Sequence, residues 1–171
     1  VVSSRYPAFA GHKATLADRG AIVKECIDAS RLQDLSLALP GRRFGIVIFN
    51  RPHSCNFIDH REFGKGVSDA EHEALLIGLF NTVDHVLVEG GRVVLLLFRQ
   101  QYTRWHLKAL ASRRGFELED VCPFNPEDFP EYQPVHGDDR DFAGRDPGFL
   151  NRRDSAFFVF KQTPRANPSP P

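Results

Sequence analysis

Short blocks of unbroken apolar residues alternate along this chain with longer stretches in which apolar positions recur every three or four residues. The first pattern predicts strands buried on both faces, the second amphipathic helices. Val1–Ser4 reads as the end of a strand. Tyr6 to Arg19, closed by Gly20, reads as a helix, and Ala21 to Ile27 as a strand running into Asp28-Ala29-Ser30. Arg31 to Leu39 is a short helix stopped by Pro40-Gly41. The run Phe44-Gly45-Ile46-Val47-Ile48-Phe49 predicts a central strand that ends in Asn50-Arg51-Pro52-His53. A polar loop over 54–67 leads into the strongest helical pattern, Ser68 to Glu89, where Ser68 and Glu71 have capping-box spacing and Gly90-Gly91 marks the stop. Arg92 to Phe98 is a second buried strand, Trp105 to Arg114 a helix, and Phe116 to Val121 a strand. Pro123 to Gly148 is irregular, and Ser155 to Lys161 is a last strand.

Strands separated by helices require crossover connections, so the expected fold is α/β: a doubly wound, mostly parallel sheet with helices on both faces. The last two strands have no helix between them and predict an antiparallel hairpin at the C-terminal edge. That combination resembles the class I S-adenosylmethionine-dependent methyltransferases. One domain is expected over residues 1–162, followed by a disordered or extended tail at 163–171, where four of nine residues are proline.

Composition narrows the classes. At 171 residues and 26% charged, the chain suits one globular core. Its longest apolar run, Val93 to Phe98, is far too short to cross a membrane, so no membrane partner is expected. Lys plus Arg and Asp plus Glu both number 22, which argues against a uniformly basic nucleic-acid coat. The zero conceals a gradient. Residues 1–66 carry 10 basic and 6 acidic groups, residues 67–115 carry 6 and 5, and residues 116–171 carry 6 and 11. Cys26, Cys55 and Cys122 are too few and too scattered for a disulfide scaffold and read as reduced intracellular thiols. Methionine is absent even at position 1, so the chain is expected to be a piece of a longer one.

In open parallel sheets, ligands bind beyond the carboxyl ends of the strands. Three such ends carry polar groups here: Ser3-Ser4, Asp28-Ala29 and Asn50 to His53. Asp28 suits either a hydrogen bond to an adenine amino group or ribose, or the capping of the short helix that follows. Asn50-x-Pro52-His53 suits the holding of a flipped base, with His53 exchanging a proton near neutrality. Its alternative is a turn in which Asn50 bonds its own backbone and His53 is a surface side chain. His53, Cys55, Asp59, His60 and His72 match no usual zinc spacing, so no metal is expected. Trp105 reads as a core anchor, with base stacking as its alternative. Arg42-Arg43, Arg51 and Arg61 read either as a phosphate-binding rim by the crevice or as a solvated face.

Several of these pieces occur in one order. Phe44 to His53, Ala74 to Phe80, Gly90 to Val93, Trp105 to Gly115, and Pro123-Phe124 through Phe129-Pro130-Glu131-Tyr132 together resemble the Rossmann-like domain of the 25S ribosomal RNA uridine-N(3) methyltransferases. The resemblance runs from about residue 1 to 162, and its most specific part is Phe49-Asn50-x-Pro52-His53. It implies methyl transfer from S-adenosylmethionine to N3 of a uridine in ribosomal RNA, with Asn50 and His53 as catalytic residues. Ser4, Asp28, Ala29, Asn50 and Pro52 fall at cofactor-binding positions. It also implies a partner in ribosomal RNA or a ribosome assembly intermediate, and a place in the nucleolus, the cytoplasm or an organelle.

The chain departs from the family pattern in three places. Nothing corresponds to the family's first strand and Gly-rich turn; His72 stands where an asparagine is expected; and Gln133 to Asp139 replace basic residues. Without the first strand, two inner strands are left with unpaired backbone groups, each costing on the order of 1–3 kcal/mol if buried. Either the chain is a fragment or another segment fills the gap. The competing function is a catalytically inactive, methyltransferase-like scaffold or assembly factor on a ribosome. A nicotinamide-dependent oxidoreductase fits less well, because no strand is followed by GxGxxG.

Overall fold

In the computed structural model, which describes residues 9–25, 27–52, 68–130 and 154–164, the apolar runs Phe44 to Phe49 and Val93 to Phe98 do become strands. The chain divides into two compact units, residues 28–125 with 154–171 and residues 1–27 with 126–153. The first unit holds a four-stranded open sheet of mixed direction. Its strands are β1 (Phe44–Asn50), β2 (Leu87–Phe98), β3 (Phe116–Pro123) and β4 (Ser155–Gln162), in the order β1-β2-β4-β3. β1 runs parallel to β2, whereas β4 is antiparallel to both β2 and β3, so the hairpin expected at the C-terminal edge is present. β1 stands at the other edge.

The helices of this unit are α2 (Leu32–Ala38), α3 (Asp69–Val83), α4 (Arg99–Arg104) and α5 (Leu107–Ser112); α1 (Phe9–Asp18) belongs to the other unit. The capping box read from the sequence opens α3: Ser68 Oγ accepts the Glu71 N–H, and the Glu71 carboxylate accepts the Ser68 N–H at 2.8 Å. One face of the sheet carries Val93, Leu95, Leu97, Phe158 and Phe160, which pack with Leu76, Leu79, Phe80 and Val83 of α3 and Leu107 and Leu110 of α5. Phe80 is the pivot, with its ring 5.3 Å from Phe116 and 5.5 Å from Phe160. On the opposite face Ile46 and Ile48 of the edge strand remain 56% and 61% exposed.

Three expected boundaries move. α3 stops at Val83, and Gly90-Gly91 lie inside β2 instead of ending a helix. There Gly90 adopts φ +69°, and a Cβ on Gly91 would sit 2.9 Å from the Val88 carbonyl oxygen. The pair forms a bulge, so that Leu87 opposes Phe44 while Arg92 already opposes Ile46. Trp105 closes one short helix rather than opening a long one, because His106 takes the left-handed conformation at φ +46° and breaks α4 from α5. Ala21 to Ile27 forms no strand among its described residues; Ile22 is 54% exposed, and no neighbouring strand meets its backbone groups. In that unit α1 ends as expected at Gly20, φ +82°, with the Gly20 and Ala21 N–H groups closing on Ala17 and Leu16.

Candidate functional site

The parallel pair β1 and β2 directs two carboxyl ends to one side, and Asn50 is the last residue of β1, opposite Leu96. Side chains alternate along strands, so the register aligns Asn50, Leu96, Phe157 and Cys122 in one row on the face away from α3. Asn50 is exposed, and its carboxamide makes no hydrogen bond among the described residues. The turn in which it would bond its own backbone is therefore not formed.

The residues that follow hold this tip rigid. Arg51 adopts φ +48°, a left-handed conformation that costs a non-glycine residue about 1–2 kcal/mol. Its N–H extends the ladder to the Leu96 carbonyl at 2.9 Å, and its guanidinium carbon lies 5.1 Å from the Phe98 ring and 5.9 Å from Phe124. Cation–π contact with both rings offsets that backbone cost. Phe124 in turn meets Phe157 edge-on at 5.7 Å. Pro52 is buried. Arg51 is thus a structural clasp and not a rim for phosphate, while Arg42-Arg43 precede β1 and so stand at the sheet's other end. Nothing in the sequence between Asn50 and Pro52 announces the clasp, since Phe98 and Phe124 come from distant positions.

The Asp28-Ala29-Ser30 turn does not cap the helix that follows it, one of the two roles its sequence suits. Asp28 accepts the Ser30 N–H at 2.9 Å and the Ser30 Oγ–H at 2.6 Å. The Ser30 hydroxyl, its backbone N–H and the nearby Arg31 hold the Asp28 carboxyl below the usual carboxylate range. Asp28 does not cap α2, whose preceding residue is Arg31 with no side-chain cap. Its carboxylate is exposed and charged, and Ala29 packs against the core. The turn rests on α3 through Gly78, where an added Cβ would lie 2.6 Å from Ser30 Cβ. Sequence reading placed Gly78 only as part of a helical pattern, yet it is the seat of the turn. No hydrogen bond among the described residues links Asp28 to the Asn50 tip.

A third group ties the start of α3 to the α4–α5 elbow. Asp69 accepts from Arg104 Nε at 2.8 Å and from Trp105 Nε1 at 3.1 Å, and His72 stacks on Trp105 at 4.3 Å with planes 11° apart. Trp105 is an anchor, as expected, but one that works through its indole N–H as well as its bulk. The Arg104 hydrogen bond, followed by that of Trp105, lowers the Asp69 pKa. A carboxylate depressed in the folded state adds stability that is complete above its unfolded pKa, near 4, and is lost as pH falls through the folded value. The single tryptophan reports on this clasp directly. Acid titration of Trp105 fluorescence is expected to show a transition below pH ~4 that Asp69→Asn removes; an unchanged transition contradicts the assignment.

Ser4, His53 and Arg61 lie outside the described residues, as do Cys26, Cys55, Asp59 and His60. Among the described residues no group of three His, Cys, Asp or Glu side chains is arranged to hold a metal, and no helix is long and apolar enough to cross a membrane. Cys122 donates its thiol to Asp120 at 3.2 Å; that acceptor, together with burial, pushes the thiol pKa up and leaves a poor nucleophile.

In open α/β sheets ligands bind beyond the carboxyl ends of the strands, and Asn50 stands at such an end. The family of BMT5-like rRNA (uridine-N3-)-methyltransferases matches residues 1–136, and the chain belongs to it. It is also similar to the mouse (Mus musculus) ferredoxin-fold anticodon-binding domain-containing protein 1 homolog, at 32% identity over 132 residues, covering 69% of this chain and 19% of that protein. Heavy metal-associated isoprenylated plant protein 41 of Arabidopsis thaliana is 31% identical over 141 residues, covering 82% of this chain and 27% of that protein. The chain thus spans about a fifth to a quarter of the length of these curated relatives.

Proposed function

We propose that the chain is the methyltransferase domain of an enzyme that moves a methyl group from S-adenosylmethionine to N3 of a uridine in ribosomal RNA. Membership of the rRNA methyltransferase family supports this reading, and the observation that carries it is the Asn50 carboxamide, exposed and without a hydrogen bond among the described residues, at the carboxyl end of a parallel strand. In this reading the sheet is the doubly wound, class I type, with β1 an edge strand among the described residues.

A uracil ring offers a carbonyl, an imide N–H and a second carbonyl along its pairing edge, so the base must be unpaired or flipped out before N3 is reached. The Asn50 carboxamide, one donor and one acceptor, complements that edge and orients it. His53, three residues on, takes up the imide proton as N3 becomes nucleophilic. Arg51, locked by Phe98 and Phe124, fixes the direction of Asn50 beside it. S-adenosylmethionine supplies an electrophilic methyl group on a sulfonium centre. The residues present fit its adenosine part: the exposed Asp28 carboxylate keeps lone pairs beyond those taken by Ser30 and accepts from a ribose hydroxyl or the adenine amino group. Ala29 offers apolar contact, and the resemblance to the family assigns Ser4 to the ribose and Pro52 to the cofactor side of the strand end. Alignment of N3 with the methyl group supplies most of the acceleration. The protein acts in the nucleolus, the cytoplasm or an organelle, on ribosomal RNA or an assembly intermediate.

Calorimetry with S-adenosylmethionine and mass analysis of uridine after incubation with deproteinised ribosomal RNA test the reading. Saturable binding and a new N3-methyluridine are expected. A chain that binds neither cofactor nor RNA is not this enzyme, and one that binds RNA without the cofactor is a scaffold.

A further inference from the structure

The described residues form a hollow of about 430 Å³, well away from the Asn50 tip, lined by Phe80, Asn81, Asp84, His85, Arg113 and Arg114. Its position follows from the topology. Asp84 and His85 precede β2, and Arg113 and Arg114 precede β3, which runs in the same direction as β2 because both are antiparallel to β4. The hollow therefore opens at the amino ends of these strands. Six residue steps of β1, at about 3.3 Å each, separate the two ends of the sheet by roughly 20 Å.

The arginines here differ from others in this unit. Arg92 pairs with Glu119, Arg99 with Asp154 and Arg104 with Asp69. Arg113 and Arg114 are exposed and pair with no carboxylate among the described residues. Asp84, the acid in the wall, accepts from Gln162 at 2.6 Å. Exposed Asn81 and His85 add polar groups, and Arg43 reaches the His85 carbonyl from the start of β1, with Arg42 beside it. A shallow polar hollow with adjacent, uncommitted guanidinium forks suits bidentate contact with successive phosphates.

We propose that this hollow is a second RNA contact, binding the phosphate backbone of the substrate at a distance from the reacting base. The proposal rests on the reading of the chain as an RNA-modifying domain. At about 3.4 Å per stacked nucleotide, roughly six nucleotides cover the 20 Å between the two ends. Such a contact carries no sequence information; it fixes which stretch of RNA presents its base to Asn50.

Fluorescence anisotropy of the full chain with a labelled single-stranded RNA tests this without requiring catalysis. Arg113→Glu with Arg114→Glu is expected to weaken binding at least tenfold and to reduce the slope of log affinity against log salt by about 1–1.5. Arg113→Lys with Arg114→Lys, which keeps both charges, should retain that slope. Both side chains are exposed, so an unchanged melting temperature separates lost contact from lost fold. Equal affinity and slope in the wild type and the glutamate variant overturn the proposal, as does a wild type that binds no RNA. Arginine-dependent RNA binding without methyl transfer upholds this contact and sinks the enzymatic reading; methylation untouched by the glutamate pair does the reverse.

Discussion

Asn50→Ala is expected to lower methyl transfer about 100-fold or more while leaving the melting temperature in place. The two halves of this expectation have separate physical grounds. Asn50 lies at an exposed strand end, and its side chain bonds to nothing among the described residues, so truncation removes no folded-state contact. Its role in the sheet is played by the backbone ladder to Leu96, which alanine keeps. Substitutions at such sites usually change stability by no more than about 0.5 kcal/mol. A polar group held ready yet unused in the folded protein matters only when something docks against it. Methyl transfer measured at saturating RNA and S-adenosylmethionine, beside thermal unfolding of the same sample, separates the cases. Activity that survives removes Asn50 from the mechanism; activity and melting temperature falling together make it a structural residue instead.

Gly78→Ala pits two effects against each other. In a helix interior alanine is favoured over glycine by roughly 0.5–1 kcal/mol. The new Cβ, however, would stand 2.6 Å from Ser30 Cβ and 3.2 Å from the Ser30 carbonyl oxygen, inside van der Waals contact with groups that cannot swing aside. Overpacking of this kind costs about 1–3 kcal/mol, so the clash wins and the variant unfolds several degrees earlier. The consequence for function is local, because Ser30 is what holds the Asp28 carboxylate. Moving that turn is expected to raise the KM for S-adenosylmethionine more than it lowers kcat. Combining Gly78→Ala with Ser30→Gly removes the opposing Cβ and should recover stability without restoring the Asp28 hydroxyl contact. A single Gly78→Ala variant more stable than the wild type refutes this account of the helix.

Much of the chain is legible in one dimension because the relevant physics is local. The apolar run ending at Asn50, the capping box at Ser68 and Glu71, the stop at Gly20 and the closing strand pair all depend on neighbours a few residues apart. Readings failed where a local signal was overridden at a distance. Gly90-Gly91 looks like a helix stop, yet β1 draws the residues from Leu87 onward into its ladder and uses the glycines for a bulge. Trp105 looks like the start of a helix, yet Asp69, thirty-six residues earlier, holds its indole and bends the chain there. Ala21 to Ile27 has the composition of a strand but meets no partner for its backbone.

The candidate site divides along the same line. Sequence alone determined that a polar Asn-x-Pro-His segment follows an apolar strand, and that its surroundings match the rRNA uridine-N3 methyltransferase family, since residue identity and order suffice for both; it did not show that this strand stands at the edge of the described sheet, with one face exposed. Only the tertiary structure decided that Arg51 is clasped between Phe98 and Phe124 rather than facing phosphate, that Gly78 seats the Asp28 turn, and that Arg113 and Arg114 share a hollow with His85 at the far end of the sheet. Each of these depends on side chains separated by many residues and brought together by strand order, and no periodicity along the chain records which strand lies beside which.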